Sequence, residues 1–255
     1  MNRFLVWINI VAVIVTLVVN GLANIIPFNG QTTAAISDKF PVYFVPAGYV
    51  FAIWGVIYIG LIAFGVYQAL PRQRDNPRLK RIGYLFALSC LANSVWIPLW
   101  HYEFFPLTVV VMLALLLLLI AIYVRLDIGR RRVTAIEKWC VDIPFSIYLG
   151  WISVATIANI TDLLYYWKWD GFGINPQWWA VLLLMAASAI SLAMSVMRRD
   201  IAFLLVIIWA FAGIADKQAS APLVANAAWL MTALVSLMLL GVVYRRVSRN
   251  RPAAA

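Results

Sequence analysis

Three short runs hold the side chains whose types and spacing could do chemistry. Trp54 and Tyr58 are one helical turn apart, Asn93 precedes Trp96 by three residues, and Trp151, Ala155 and Asn159 follow one another at intervals of four. At 3.6 residues per turn each set falls on one helix face, so each face presents aromatic rings or an amide to whatever it meets. Stacked rings beside an amide suit the face and the polar edge of a flat hydrophobic molecule, and Ala155 is small enough to leave room for a ring. The same residues also read as helix glue, because in a membrane Asn bonds across helices for about 0.6–2 kcal/mol and Trp fills space.

Other reactive side chains are scarce. His101 is the one histidine, which excludes a His-rich zinc site and an HExxH motif and leaves no Ser-His-Asp set beyond chance. A Gly-rich phosphate loop is absent. Cys90 and Cys140 lie fifty residues apart in apolar runs; they set no disulfide framework and read as core residues. His101 and Glu103 occupy a short turn, where a solvated histidine is expected and axial haem ligation is the alternative. Asp142, four residues after Lys138, suits an i,i+4 ion pair at a helix mouth. Asp216 and Lys217 fit an external loop, with a proton or ion relay as the other reading. No acid–base pair or metal set stands out, so no enzymatic activity is expected and no cofactor is required.

Helices must position these residues. Of 255 residues, 65% are hydrophobic and 12% charged, against about 45–50% and about 25% in soluble domains. That excludes a soluble enzyme, a disulfide scaffold, a disordered chain and a nucleic-acid-binding domain. A span needs about 20 apolar residues, and eight runs qualify: 4–26, 45–69, 79–100, 105–124, 140–162, 177–197, 201–215 and 222–244. The seventh is short, about 22 Å at 1.5 Å per residue, so it must extend into Asp216 and Lys217, sit in a thinned region or be half-buried among its neighbours. The expected fold is an all-α polytopic bundle. With no A-x-A cleavage pattern, the first run reads as a retained span and not as a signal peptide.

Placing the N-terminus in the cytoplasm puts 17 of the 20 Lys and Arg residues on the inner side and only Lys39, Lys168 and Lys217 outside. Such a split obeys the positive-inside rule, requires an even number of spans and leaves both termini cytoplasmic. The net charge of +10 is then topological, with anionic lipid headgroups as its partner. Trp7 and Trp139 inside, and Trp100, Trp167, Trp169, Trp178 and Trp179 outside, fit interfacial belts. Trp54, Trp96, Trp151, Trp209 and Trp229 lie within spans and are expected to face the bundle interior, where an indole N–H can find a partner.

In chain order, these faces resemble the TspO/MBR family: the translocator proteins, also called tryptophan-rich sensory proteins or peripheral benzodiazepine receptors. The family's second helix carries Pro-Pro-Gly-Trp-x-Phe before Trp-x-x-x-Tyr; here Pro46-Ala47-Gly48-Tyr49-Val50-Phe51 precedes Trp54-Gly55-Val56-Ile57-Tyr58. Its third helix carries Leu-Asn-x-x-Trp-x-Pro-x-Phe, which Ala92-Asn93-Ser94-Val95-Trp96-Ile97-Pro98-Leu99-Trp100 resembles. Its fifth carries Tyr-Leu-x-Trp-x-x-x-Ala-x-x-x-Asn, and Tyr148, Leu149, Trp151, Ala155 and Asn159 keep every named position. Ala47 and Tyr49 depart from the pattern, and one residue is missing between Phe51 and Trp54.

The resemblance covers residues 1–166 as a five-helix unit and leaves 167–255 as three additional helices and a basic cytoplasmic tail. It implies a pocket toward the outer face, covered by the connection 27–44 and lined by Trp54, Tyr58, Asn93, Trp96, Trp151, Ala155 and Asn159. It implies as ligand a tetrapyrrole such as porphyrin or haem, held by a receptor or carrier in the bacterial inner membrane. Two other readings stay open: a structural subunit of a larger pigment or respiratory complex, and a tetrapyrrole-degrading activity. Assembly as a homodimer or within a membrane complex is also open.

Overall fold

The computed structural model describes residues 3–249; the start of the chain at Met1 and the part of the basic tail that includes Arg251 lie outside them. Among the described residues, eight long helices stand where the eight apolar runs were expected: α1 Arg3–Ile25, α2 Ile53–Ala69, α3 Leu85–His101, α4 Phe105–Arg125, α5 Ile143–Tyr166, α6 Pro176–Met197, α7 Ile201–Lys217 and α8 Pro222–Arg249. Among the described residues, six helical segments are long and apolar enough to cross a membrane. α3 and α7 have 17 residues each, about 26 Å at 1.5 Å per residue. The molecule is an integral membrane helix bundle.

Local chemistry explains the boundaries. The 45–69 run divides into a 3-10 segment Gly48–Ala52 and the α-helix from Ile53. The 79–100 run breaks at Gly83, whose φ of 52° is left-handed and tolerated there because glycine lacks Cβ; α3 therefore starts at Leu85. Asn175 caps α6 by accepting from Gln177 N at 2.9 Å, with Pro176 in the first turn, where its missing N–H costs nothing. Asp200 caps α7 through Phe203 N at 3.1 Å. α7 extends past the apolar run to include Asp216 and Lys217 in its last turn, so these residues are helical and not in a loop.

The first five helices form a ring: α1 packs on α2 and α3, α3 on α4, α4 on α5, and α5 on α2. α7 seats against α5 and the Gly48–Ala52 segment, while α8 covers α6 and α7. The closest approach is at Gly213, where an added Cβ would lie 2.1 Å from Val50 Cγ2; Ala47 N donates to Gly213 O at 3.0 Å. Trp209 Nε1 reaches Val50 O at 3.1 Å. Because that bond is made at the helix surface, Trp209 stays 41% exposed. Trp229 is 53% exposed, since α7 already fills the face that α8 turns inward. These two indoles therefore face outward, contrary to the expectation that they point inward.

Candidate functional site

α5 carries Trp151, Ala155 and Asn159 on one face, and α3 turns Trp96 toward it. The two helices, the start of α2 and Met112 of α4 line a cavity of about 40 Å³, with Thr33 and Ser37 also on its wall. Trp54, Trp96, Trp151, Ala155 and Asn159 all line it. Trp96 stacks on Trp100 with centroids 5.1 Å apart and planes 17° from parallel. Trp96 Nε1 donates to Asn159 Oδ1 at 3.2 Å, and Asn159 Nδ2 donates to Thr108 Oγ1 at 3.0 Å. Trp54 meets Trp151 edge to face at 6.2 Å, one of the geometries that the ring quadrupole favours.

Tyr58 and Asn93 are not on the cavity wall. Tyr58 stacks beneath Trp54 at 5.6 Å, and its hydroxyl donates to Asn20 Oδ1 at 2.7 Å. Asn20 Nδ2 donates to Asn93 Oδ1 at 2.8 Å, and Asn93 Nδ2 to Tyr148 Oη at 2.9 Å. This chain of bonds ties α1, α2, α3 and α5 together beside the aromatic wall. It satisfies buried amides that lipid could not. Asn20, from α1, is a member that the motif spacings did not reveal.

Two polar atoms at the cavity wall lack any partner. Trp151 Nε1 and Asp162 Oδ1 are buried and make no hydrogen bond, and both residues are 2% exposed. Buried polar groups are nearly always bonded, so this donor and this acceptor at one cavity are exceptions for which the protein supplies no partner. Asp162 escaped the sequence reading because it closes the fifth apolar run; its signal was the spacing Ala155, Asn159, Asp162, which keeps one face for two turns. Trp100 was expected at the outer interface. It is instead 3% exposed and lines the cavity, four residues after Trp96, donating its N–H to Thr33 O at 3.2 Å.

Residues 27–44 form a lid, and its fastenings come from several elements. Thr32 caps the short helix Thr33–Ser37 by accepting from Ala35 N. His101, expected to be solvated, is fully buried, because the lid folds onto it. Nδ1 lies 3.1 Å from Phe28 O and Nε2 3.1 Å from Thr33 Oγ1. Both ring nitrogens are thus bonded within the protein, which leaves neither as an axial haem ligand in this structure. Lys39 pairs with Glu103, and the hydrogen bond from Lys39 holds the Glu103 carboxyl below its ordinary range. Lys217, at the end of α7, pairs with Asp38 at 2.6 Å.

At the opposite end of the bundle Asp142 does not pair with Lys138. Arg78, 3% exposed, takes it instead, also donating NH1 to Glu137 at 3.0 Å and Nε to Leu126 O at 2.6 Å. A planar guanidinium fork satisfies three acceptors at once, which a lysine ammonium cannot match in geometry. Cys90 is buried and Cys140 half-buried, both as free thiols. Among the described residues no group of three His, Cys, Asp or Glu side chains is placed to hold a metal ion.

The ring of five helices, the aromatic cavity and the covering lid can be set beside known proteins. A model of the TSPO-like protein family matches residues 6–241. The chain belongs to the TSPO-like family. The match runs through α6, α7 and most of α8 as well as the first five helices. No curated protein and no solved structure matches the chain.

Proposed function

We propose that this TSPO-like protein is a receptor or carrier that binds a planar hydrophobic ligand of the tetrapyrrole class, porphyrin or haem, without converting it. The observation that carries the reading is the unbonded pair, Trp151 Nε1 and Asp162 Oδ1, at a cavity walled by stacked and edge-on indoles. Rings supply area for stacking at low entropic cost. The indole N–H offers a donor to a ligand acceptor, and the carboxyl offers an acceptor to a ligand N–H. A cavity of about 40 Å³ holds no macrocycle, given that ligand pockets usually measure about 300–1,000 Å³. Binding therefore requires the lid to lift.

Eight spans with both termini cytoplasmic belong to the same reading. The lid, Lys39, Lys168 and Lys217 then face outward, and the arginine-rich ends face the cytoplasm of a bacterial inner membrane. The test is a titration of the purified full chain with protoporphyrin IX and with haemin, followed by tryptophan quenching. Saturable quenching that Ala155→Phe abolishes is expected; identical curves for parent and variant would overturn the assignment, because a ring at that position occupies the proposed ligand space.

A further inference from the structure

A second and larger cavity lies away from the aromatic site. It is an open groove of about 660 Å³ between α2, α5 and α7 at the arginine-rich end of the bundle. Its upper walls are apolar, formed by Val56, Ile147, Leu205 and Val206 among others, and Trp139 and Trp209 flank it. Its mouth gathers Arg131 and Lys138 from the connection between α4 and α5, Arg199 from the turn before α7 and Arg246 from the end of α8. From Ile201 at the mouth to Trp209, the wall rises about 12 Å at 1.5 Å per residue.

The charge at the mouth is not neutralised from within. Two carboxylates line the groove, Asp142 and Asp200, and both are engaged elsewhere. Asp142 is paired with Arg78. Asp200 accepts from Tyr123 Oη at 2.7 Å, Ser146 Oγ at 2.6 Å and Phe203 N at 3.1 Å. None of the four cations forms an ion pair among the described residues. Nor is the mouth loosely built. An added Cβ at Gly129 would lie 2.2 Å from Arg198 O, so the loop carrying Arg131 is pressed onto the turn carrying Arg199. Arg198 fastens that contact through Asp127 Oδ1 and Ile128 O, each at 3.3 Å.

We infer that this groove is a binding site for one anionic phospholipid, its phosphate held by Arg131, Lys138, Arg199 and Arg246 and an acyl chain laid along α7. Charge complementarity selects the headgroup: four unpaired cations above a bilayer leaflet attract anionic lipid, and guanidinium groups match phosphate oxygens bidentately. The apolar wall selects a lipid over a free phosphate, since a soluble anion would leave that wall bare.

The test is native mass spectrometry of the full chain released from detergent with phosphatidylglycerol or phosphatidylcholine of equal chain length. One retained phosphatidylglycerol per chain is expected, with occupancy at least fivefold above phosphatidylcholine. Arg131→Gln with Arg246→Gln removes two exposed cations without touching packed residues and should erase that preference. Arg72→Gln, a basic residue outside the groove, should leave it intact. Ala202→Trp fills the trough without changing charge and should also displace the lipid. Equal retention of the two lipids would overturn the site. Equal losses from Arg72→Gln and the double variant would reduce it to diffuse attraction and overturn it too. Displacement of phosphatidylglycerol by millimolar inorganic phosphate, with Ala202→Trp silent, would identify a soluble-anion site and refute the lipid.

Discussion

Asp162 and Trp151 each hold a polar atom away from water with nothing to bond, which costs about 1–3 kcal/mol per group. Stability and binding should therefore respond to them in opposite directions. Asp162→Leu is expected to raise the unfolding midpoint in detergent while weakening protoporphyrin, because it removes an unbonded acceptor from the empty protein and a bonded one from the complex. Trp151→Phe keeps a ring and deletes the N–H. It should leave stability unchanged or slightly higher and weaken binding by about 1 kcal/mol, near fivefold. Thermal melts and quenching titrations on the same preparations separate the two effects; a joint loss of stability and affinity from Trp151→Phe would show that its N–H has a structural partner. Tyr58 and Asn93 belong to the neighbouring network, so Asn93→Ala should destabilise, leaving Asn20 and Tyr148 short of partners, by about 1–3 kcal/mol.

Among the elements, the lid and α7 are the parts whose behaviour can be forecast. Glu103 is held below the usual carboxylate range by Lys39. A lowered carboxyl pKa contributes stability that is complete above the unfolded value, about 4.3, and is lost as pH falls through the lower folded value. Lid protection in hydrogen exchange, corrected for intrinsic rates, should thus hold steady from neutral pH to about 5 and fall only below about 4. Both side chains are well exposed, 45% and 40%, so the pair contributes less than about 1 kcal/mol. Gly213→Val tests the seating of α7: a side chain driven into Val50 should cost about 1–3 kcal/mol and lower the melting temperature, whereas a neutral result would mean that α7 can slide. The eight helices were legible because apolar runs and basic flanks are local signals. The lid's hold on His101 and the partner of Asp142 were not, since residues 28 and 33 meet 101, and 78 meets 142, only through the tertiary fold. The cavity was half legible: ring and amide spacings pointed to five of its residues, while Trp100 and Asp162 obeyed the same spacing but sat at run ends, where they read as boundaries.

For the whole molecule, the proposed orientation rests on the division of basic residues between the two ends. A cysteine introduced at Lys168 should react with an impermeant thiol reagent on intact cells and one at Arg131 should not; labelling at Arg131 would invert the bundle. The last three helices also reach back to the first five at the lid, since Lys217 of α7 holds Asp38. That contact has a consequence for how ligand binding is measured. A site that admits ligand only when uncovered shows an affinity reduced by the fraction of time it is uncovered; a lid open about 1% of the time makes the apparent Kd about a hundredfold weaker than the intrinsic one. Cutting the fastenings with Lys39→Gln and Lys217→Gln should therefore tighten apparent binding, through a faster on-rate at an unchanged off-rate, although neither side chain touches the ligand. Stopped-flow quenching would reveal it, and a slower or unaltered on-rate would mean that ligand reaches the cavity by another path, between helices from the lipid side. On this account the Lys217–Asp38 pair makes α7 a governor of how often a site it does not line can be occupied.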